Sequence, residues 1–251
     1  MHAPHSQREF DMTLSYIEHL KQGLRDSPPK QKGERTRQRL RIATAEALER
    51  TGYHAMRVLD ITTAAEVAEG LFYVYFKDKT EATLSVLNEM LEDFLGFSTL
   101  TTEEHDPFSA IRAANRRWLA VCRANAGLMR CLLQVSDEEP GLTDLAQRAN
   151  RLWYDIVAQT HVKRRGQPDA KPSVLFATYL LGGMMDELVR KLFIYPDPGL
   201  QKLQKKLRAD DDALADAASV IWLRVLSPEA RPPDDLPKAA AALVDWMKVK
   251  R

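Results

Sequence analysis

The stretch RVLDITTAAEVAEGLFYVYFKDK, residues 57–79, decides the fold of this chain. Its apolar residues recur at helical spacing and predict two short helices, over about 57–65 and 68–75, with a tight turn between them. Phe72 and Phe76 lie four residues apart and are expected to face inward. Two helices joined in this way form a helix-turn-helix, an arrangement that lets one helix lie in the major groove of DNA.

Helices on both sides complete a small domain. Asp78 is a suitable N-cap for a long helix over about 79–98. Before the stretch, a helix is predicted over about 35–50, and Gly52 is a natural stop for it. The apolar face of this earlier helix, at i, i+3, i+4, i+7 and i+8, comprises Leu40, Ala43, Thr44, Ala47 and Leu48.

The segment KQKGERTRQRLR, residues 30–41, has the highest positive charge density in the chain, with six basic residues and one acidic residue. One interpretation is an arm that holds DNA phosphates, because such contacts set affinity and its salt dependence. The other is a solvated linker face, which is how most charge runs are placed. The sequence leaves both open.

Residues 36–79 resemble the N-terminal domain of the TetR family of transcriptional regulators. The matching residues are Thr36, Arg37, Gly52, Tyr53, Val58, Asp60, Ile61, Ala65, Val67, Gly70, Phe72, Tyr73, Tyr75, Phe76 and Lys79. The resemblance implies a ligand-responsive regulator, with repression as the expected mode, that binds palindromic operator DNA as a homodimer. It also implies an all-α fold, with an N-terminal three-helix helix-turn-helix domain and a C-terminal helical bundle for ligand binding and dimerisation.

The resemblance also implies which residues contact DNA. Those expected to face the major groove are Glu69, Gly70, Leu71, Tyr73 and Tyr75. Those expected to hold phosphates are Lys79 and Arg37, with Lys30, Lys32 and Arg35 from the basic segment. Leu71 suits a thymine methyl group, and Glu69 accepts only from a cytosine amino group.

Several positions depart from the family pattern. Met56 and Ala68 stand where a Ser or Thr usually caps the two short helices, and a lost cap typically costs about 1 kcal/mol. Glu66 replaces the glycine of the turn, and Leu71 replaces a small residue that usually bonds a phosphate. Glu66 and Glu69 also bring negative charge towards phosphates. A second interpretation therefore stays open: the same fold with weak DNA binding, acting as a partner-binding or ligand-binding module.

Outside this domain the pattern is also helical. An amphipathic helix is predicted over 6–25, with an apolar face of Phe10, Leu14, Ile17, Leu20 and Leu24. The alternatives left open are a helix docked on its own domain, a disordered arm and a helix that binds a partner. Further helices are predicted over about 107–124, 128–135, 142–165, 172–194 and 212–227, with a last one after 236. The loops DEEPG at 137–141 and YPDPG at 195–199 are expected to end helices. The predicted regions are an extension (1–29), the helix-turn-helix domain (30–79), the ligand and dimerisation domain (80–227), and a C-terminal linker and helix (228–251).

Aromatic, soft and small residues in the C-terminal helices are candidates for an apolar effector pocket. They are Trp118, Cys122, Met129, Trp153, Phe176, Tyr179, Leu180, Gly183 and Met184, with Tyr154, Gln134 or Asp186 as a polar handle. The alternative is that these residues only form the core. A pocket of this composition suits a hydrophobic small molecule or acyl chain. The pair Gly182-Gly183 favours close helix approach or room for a ligand, and the helices over about 173–194 and 212–227 are expected to form the dimer contact.

Composition limits the other function classes. The formal net charge of +1 over 251 residues leaves no basic field on the whole molecule, so any nucleic-acid surface is local. Cys122 and Cys131 have no metal or redox spacing, which favours a reduced, cytoplasmic protein. The apolar run 173–185 is too short to span a membrane. Scattered histidines and the absence of a phosphate loop predict neither catalysis, nor a metal, nor a cofactor.

Overall fold

The computed structural model describes residues 14–97, 106–136, 140–231 and 233–247, and within these ranges the chain is helical with no β-strand. The α-helices are α1 (Tyr16–Asp26), α2 (Lys32–Thr51), α3 (Val58–Ala64), α4 (Glu69–Tyr75), α5 (Lys79–Phe97), α6 (Pro107–Ala124), α7 (Ala126–Ser136), α8 (Pro140–Arg165), α9 (Lys171–Val189), α10 (Pro198–Leu207), α11 (Asp211–Leu226) and α12 (Lys238–Leu243). A π-helical turn, Arg190–Ile194, extends α9, and short 3₁₀ turns lie at Pro168–Ala170 and Asp245–Met247. The predicted all-α fold, with an N-terminal helix-turn-helix domain and a helical C-terminal domain, is confirmed.

Local capping explains the helices around the helix-turn-helix. Gly52 ends α2 with φ at 78°, a conformation that favours glycine. Asp78 accepts the backbone N–H of Glu81 at 2.9 Å, and the Glu81 carboxylate accepts the backbone N–H of Lys77 at 2.6 Å. These two hydrogen bonds cap the start of α5 where the sequence predicted.

Two prolines begin helices where helix ends were expected. The segment 195–199 was predicted to end a helix with no further one before about 211, but Pro198 opens α10, and Asp197 accepts the N–H of Leu200 at 2.7 Å. α7 ends at Ser136, directly before the predicted stop at 137–141, and Pro140 opens α8 two residues earlier than predicted. Proline lacks only an N–H that the first helical turn does not use, so it starts a helix as readily as it stops one.

The N-terminal extension contains a docked helix, which is one of the three alternatives left open above. The described part begins at residue 14, so Phe10 of the predicted face lies outside it. Leu14 is exposed, and Tyr16, which the predicted face omitted, is fully buried together with Leu20. The Tyr16 hydroxyl donates to the Glu89 carboxylate at 3.0 Å, so α1 is tied to α5.

The main hydrophobic core crosses the predicted domain boundary. It contains buried residues of α1 to α5, and also the inner face of α7. The α7 contribution consists of Leu128, Cys131, Leu132 and Val135. A second core lies in the C-terminal bundle, around Leu119, Leu181, Met185, Leu214 and Trp222. Met129 packs against both cores. The helix-turn-helix domain and the C-terminal bundle are therefore in direct contact and are not joined by a flexible linker.

A buried ion cluster fastens α6 to α11. The fully buried carboxylate of Asp216 accepts from Arg112 at 2.9 Å and from Arg116 at 2.6 Å. Burial opposes ionisation, but the hydrogen bonds from the two guanidinium groups hold the pKa of Asp216 below its usual value. Asn115 donates to Ser219 at 2.9 Å in the same interface. A buried charge paired in this way fixes the register of the two helices.

The turn between α6 and α7 joins the two cores. The Glu49 carboxylate, on α2, accepts the backbone N–H groups of Gly127 at 2.9 Å and Leu128 at 2.8 Å. It therefore caps the N-terminus of α7, where negative charge is favourable. The buried amide of Asn125 accepts the N–H of Tyr16 at 2.8 Å and donates to the carbonyl of Leu14 at 2.9 Å. We call residues 125–128 the joint.

We expect Gly127→Ala to destabilise the protein, because a Cβ at Gly127 would overlap the backbone of Glu49. Overpacking of this kind costs about 1–3 kcal/mol. The matched control is Gly23→Ala on α1, where nothing lies within 4 Å of the added carbon and a gain of up to about 1 kcal/mol is expected. Urea unfolding of both variants measures the difference, and equal stability would contradict the close contact.

Candidate functional site

The helix-turn-helix is held together by a small aromatic core. Phe72 and Phe76 are buried with ring centroids 5.6 Å apart, and Ile61 of α3 is fully buried in the same core. The Arg39 guanidinium donates to the carbonyl of Ala65 at 2.5 Å, which ties the end of α3 to α2. The inward placement of the two phenylalanines is as predicted, and it fixes which residues of α4 point outward.

The turn between α3 and α4 carries backbone strain at Glu66. Its φ is 53°, in the left-handed region, which costs a non-glycine residue roughly 1–2 kcal/mol. The glycine typical of this position would avoid that cost. The Glu66 carboxylate is exposed and lies 3.5 Å from Arg39, an ion pair that contributes little in solvent.

The caps of the two short helices differ from the prediction at one position. Ala68 is the N-cap of α4 and has no side-chain acceptor, as expected. The N-cap of α3 is Arg57, not Met56, and the Asp60 carboxylate accepts the Arg57 N–H at 2.9 Å. Met56 lies in the core. Because Met56 is one residue before the cap, its lack of an oxygen carries no capping penalty.

The outward face of α4 is mainly apolar. Glu69 and Gly70 are exposed, as are Leu71 (36%) and Tyr73 (55%). Val74, which the sequence prediction omitted, is 72% exposed and is the most exposed large apolar side chain of α4. Helical periodicity could have predicted this exposure, because Val74 lies four residues after Gly70 and on the side of α4 opposite Phe72.

Basic residues lie on α2 beside this face. Lys30, Lys32, Arg35 and Arg37 are all exposed, at or just before the first turns of α2. Tyr75 is half-buried, and its hydroxyl lies 3.5 Å from the position of a Cβ on Gly33, so the start of α2 adjoins the end of α4. The structure therefore brings the predicted basic segment next to the predicted reading helix.

Lys79 has a different setting from the other predicted phosphate contacts. Its ammonium donates to the carbonyls of Tyr53 at 3.1 Å, His54 at 3.4 Å and Met56 at 3.2 Å. It also lies 4.8 Å from the centroid of the Tyr53 ring. Three carbonyls occupy the three donors of the ammonium group. Lys79 in this conformation fastens the start of α5 to the loop between α2 and α3.

The predicted effector residues fall into two groups. Five of them pack in or against the C-terminal core: Trp118, Cys122, Met129, Trp153 and Met184. The Trp153 and Trp222 rings meet edge to face at 5.6 Å, and the buried indole Nε1 of Trp222 has no acceptor among the described residues. Burial raises the pKa of the Cys122 thiol well above its usual value. Trp222 was missing from the sequence prediction.

The other group lies on the outer face of α9. Phe176 is 66% exposed and Leu180 is 61% exposed, and Tyr179 and Gly183 are also exposed. These four residues do not line the interior of the single chain. A helix carrying apolar residues on every side presents half of them outward, and sequence periodicity alone does not say which half.

The two adjacent glycines of α9 have different surroundings. A Cβ at Gly182 would overlap the ring of Tyr154, so this glycine allows close approach of α8 and α9. Nothing lies within 4 Å of a Cβ at Gly183. Tyr154 is buried, and burial raises its pKa to about 12. Asp186 keeps exposed surface, but desolvation of its carboxyl group raises its pKa to about 6. The Gln134 side-chain oxygen lies near Gly52 at the end of α2.

No metal-binding group of three or more His, Cys, Asp or Glu side chains occurs in the described ranges. Within the same ranges, none of the helices has the length and apolar character required to cross a membrane.

We expect Lys79→Ala to lower the free energy of unfolding by about 2 kcal/mol, because it removes charge-assisted hydrogen bonds to three carbonyls. Lys77→Ala is the matched control, since Lys77 is exposed and such substitutions usually change stability by less than about 0.5 kcal/mol. Chemical denaturation compares the two variants. If both are as stable as the parent protein, Lys79 does not fasten α5.

Comparison with known proteins finds a family match for the N-terminal domain. Residues 41–82 match the family described as bacterial regulatory proteins, tetR family. These residues run from within α2, through α3 and α4, to the first turn of α5. No curated protein matches the sequence.

Two solved structures share the fold. One, from Mesorhizobium loti MAFF303099, is described as a TetR-family transcriptional regulator; it has 17% identity and a TM-score of 0.56 over 78% of this chain and 98% of its own. The other is the fatty acid degradation regulator FadR from Bacillus halodurans, with 17% identity and a TM-score of 0.55 over 78% and 97%. At this identity the likeness establishes the fold. The match over residues 41–82 identifies the helix-turn-helix as a domain of the tetR-family type, and the chain shares the fold of these two solved structures over 78% of its length.

Proposed function

We propose that the protein is a ligand-responsive transcriptional repressor that binds palindromic operator DNA as a homodimer. The observation that carries the proposal is the outward face of α4 with exposed basic residues of α2 beside it. A helix that points into the major groove needs positive charge on its flanks, where the phosphates lie. Lys30, Lys32, Arg35 and Arg37 supply that charge.

Phosphate contacts account for most of the expected affinity. Arginine and lysine side chains bind phosphates without reading the sequence, and each neutralised phosphate adds about 0.9 to the negative salt slope. The Tyr73 hydroxyl, exposed on α4, is a further donor to a phosphate. Lys79 contributes by holding α5 against the loop 53–56, and a phosphate contact would require it to leave one of its carbonyls.

The sequence predicted a dimer contact through α9 and α11, but most of α11 is buried within the single chain. The contact is therefore expected through α9 and the exposed end of α11. The exposed residues Phe176, Tyr179 and Leu180 form one apolar surface on α9, and Val225 on α11 is also exposed. Contiguous apolar surface of this kind marks interaction sites on soluble proteins. A two-fold contact through these helices would present two copies of α4 to two half-sites of a palindrome.

The effector is expected to bind in the C-terminal bundle, near Trp118, Trp153 and Trp222. The unpaired indole N–H of Trp222 offers one hydrogen bond to an otherwise apolar ligand. The fold is shared with a fatty acid degradation regulator, which makes an acyl chain the first effector class to test. The ligand shifts the balance between two states only by its differential affinity for them, and α6 connects this region to the joint.

A second function has specific support. Three features of the helix-turn-helix are expected to weaken DNA binding. They are the strained turn at Glu66, the missing cap oxygen at Ala68 and the carboxylate of Glu69. These features favour a protein of the same fold that binds DNA poorly and acts as a partner-binding or ligand-binding module. The two functions differ in one measurable property, namely specific affinity for a palindromic duplex.

Selection from a random duplex library, followed by a salt titration of the recovered duplex, tests the proposal. We expect a palindromic consensus with half-sites about one helical turn or a multiple of it apart. Arg35→Ala should weaken binding to all duplexes and reduce the salt slope by about 1 for each protomer. Lys202→Ala, an exposed cation on α10, is the control and should change neither quantity. Recovery of no consensus at low salt would favour the second function.

The dimer proposal is tested by Leu180→Glu, which places a charge in the exposed face of α9. We expect the parent protein to be a dimer and the variant a monomer by light scattering at micromolar concentration, because a buried unpaired carboxylate is costly. Leu203→Glu makes the same change at an exposed site on α10 and should leave the dimer intact. A monomeric parent protein would refute the proposed contact.

A further inference from the structure

We propose that α4 reads its operator through the methyl groups of thymine, with Val74 and Leu71 as the contacting side chains. This inference rests on the proposed DNA-binding function and names the chemistry that the reading helix recognises. It assigns a specificity-determining role to Val74, which stands at the most outward position of the helix.

Helix geometry places these side chains at the DNA surface. Phe72 is fully buried, and Gly70 and Val74 lie on the opposite side of α4, four residues apart. A Cβ at Gly70 would have nothing within 4 Å, so the backbone at Gly70 is bare on its outer side. A bare backbone allows close approach to base edges, and Val74 and Leu71 then project beside it.

The polar chemistry of base reading is largely missing from α4. Residues 69–75 are EGLFYVY and contain no Arg, Lys, Asn or Gln. These are the side chains that form paired hydrogen bonds with guanine and adenine in the major groove. Glu69 accepts from a cytosine amino group, and the thymine methyl is the one apolar feature that the base pairs present there. Apolar contact must therefore carry much of the discrimination.

The charge around the face favours DNA over a protein as its occupant. Lys30, Lys32, Arg35 and Arg37 of the adjoining segment are exposed, and the contact between Tyr75 and Gly33 brings the start of α2 to the end of α4. An apolar strip with cationic residues beside it matches a major groove, where thymine methyl groups lie between phosphate backbones.

Methyl deletion gives a direct test on the full-length protein. In the duplex recovered by selection, each thymine of one half-site is replaced in turn by deoxyuridine, which keeps the base pair and the O4 acceptor and lacks only the methyl group. At the thymines under α4 we expect affinity to fall about fourfold for each methyl lost, the value of one buried methylene.

Variants assign each methyl group to its side chain. Val74→Ala should bind thymine and deoxyuridine equally at one position while still discriminating at the others, and Leu71→Ala should do so at a different position. Leu203→Ala on α10 is the control and should keep every deoxyuridine effect. Both reading residues are exposed, so the variants are expected to remain folded, which circular dichroism and thermal unfolding verify.

The outcomes separate this inference from the proposed function. If a consensus duplex binds tightly and deoxyuridine changes nothing at any position, the methyl readout is wrong and the regulator function stands. If deoxyuridine weakens binding equally in Val74→Ala, Leu71→Ala and the parent protein, the assignment to α4 is wrong. If no duplex is selected, both proposals fail.

Discussion

The architecture depends on one contact, in which the carboxylate of Glu49 caps the N-terminus of α7. Two backbone N–H groups of the C-terminal half receive a charged acceptor from the last turns of α2. The same short turn holds α1 through Asn125, and the glycine beside it allows the two backbones to meet. The helix-turn-helix domain and the bundle are therefore packed against each other through this turn.

The helix-turn-helix has a well-packed core, but its exposed surface carries few groups that favour DNA binding. Phe72, Phe76 and Ile61 give the two short helices their fixed relation, and Lys79 ties the next helix to the loop before them. The turn nevertheless holds a glutamate in a left-handed conformation, and α4 has neither a cap oxygen nor a cation. These observations shift the expected affinity to the basic start of α2 and the expected specificity to apolar contact.

The C-terminal bundle separates two groups of apolar residues that its sequence mixes. Trp153, Trp222 and Cys122 are inside, and the buried indole N–H of Trp222 has no acceptor among the described residues. Phe176 and Leu180 are outside, on a face of α9 that the single chain leaves in solvent. The buried Asp216 with its two arginines keeps α6 and α11 in register.

The sequence alone determined the helical periodicity, the helix-turn-helix and the basic segment beside it, because spacing, caps and charge are local properties. The inward pair Phe72 and Phe76 and the stop at Gly52 followed from the same local rules. Only the tertiary structure decided the direction of Lys79 and the side of α9 that faces out. Each of these depends on which neighbour the chain brings near, and a helix presents its side chains in all directions until packing selects one face.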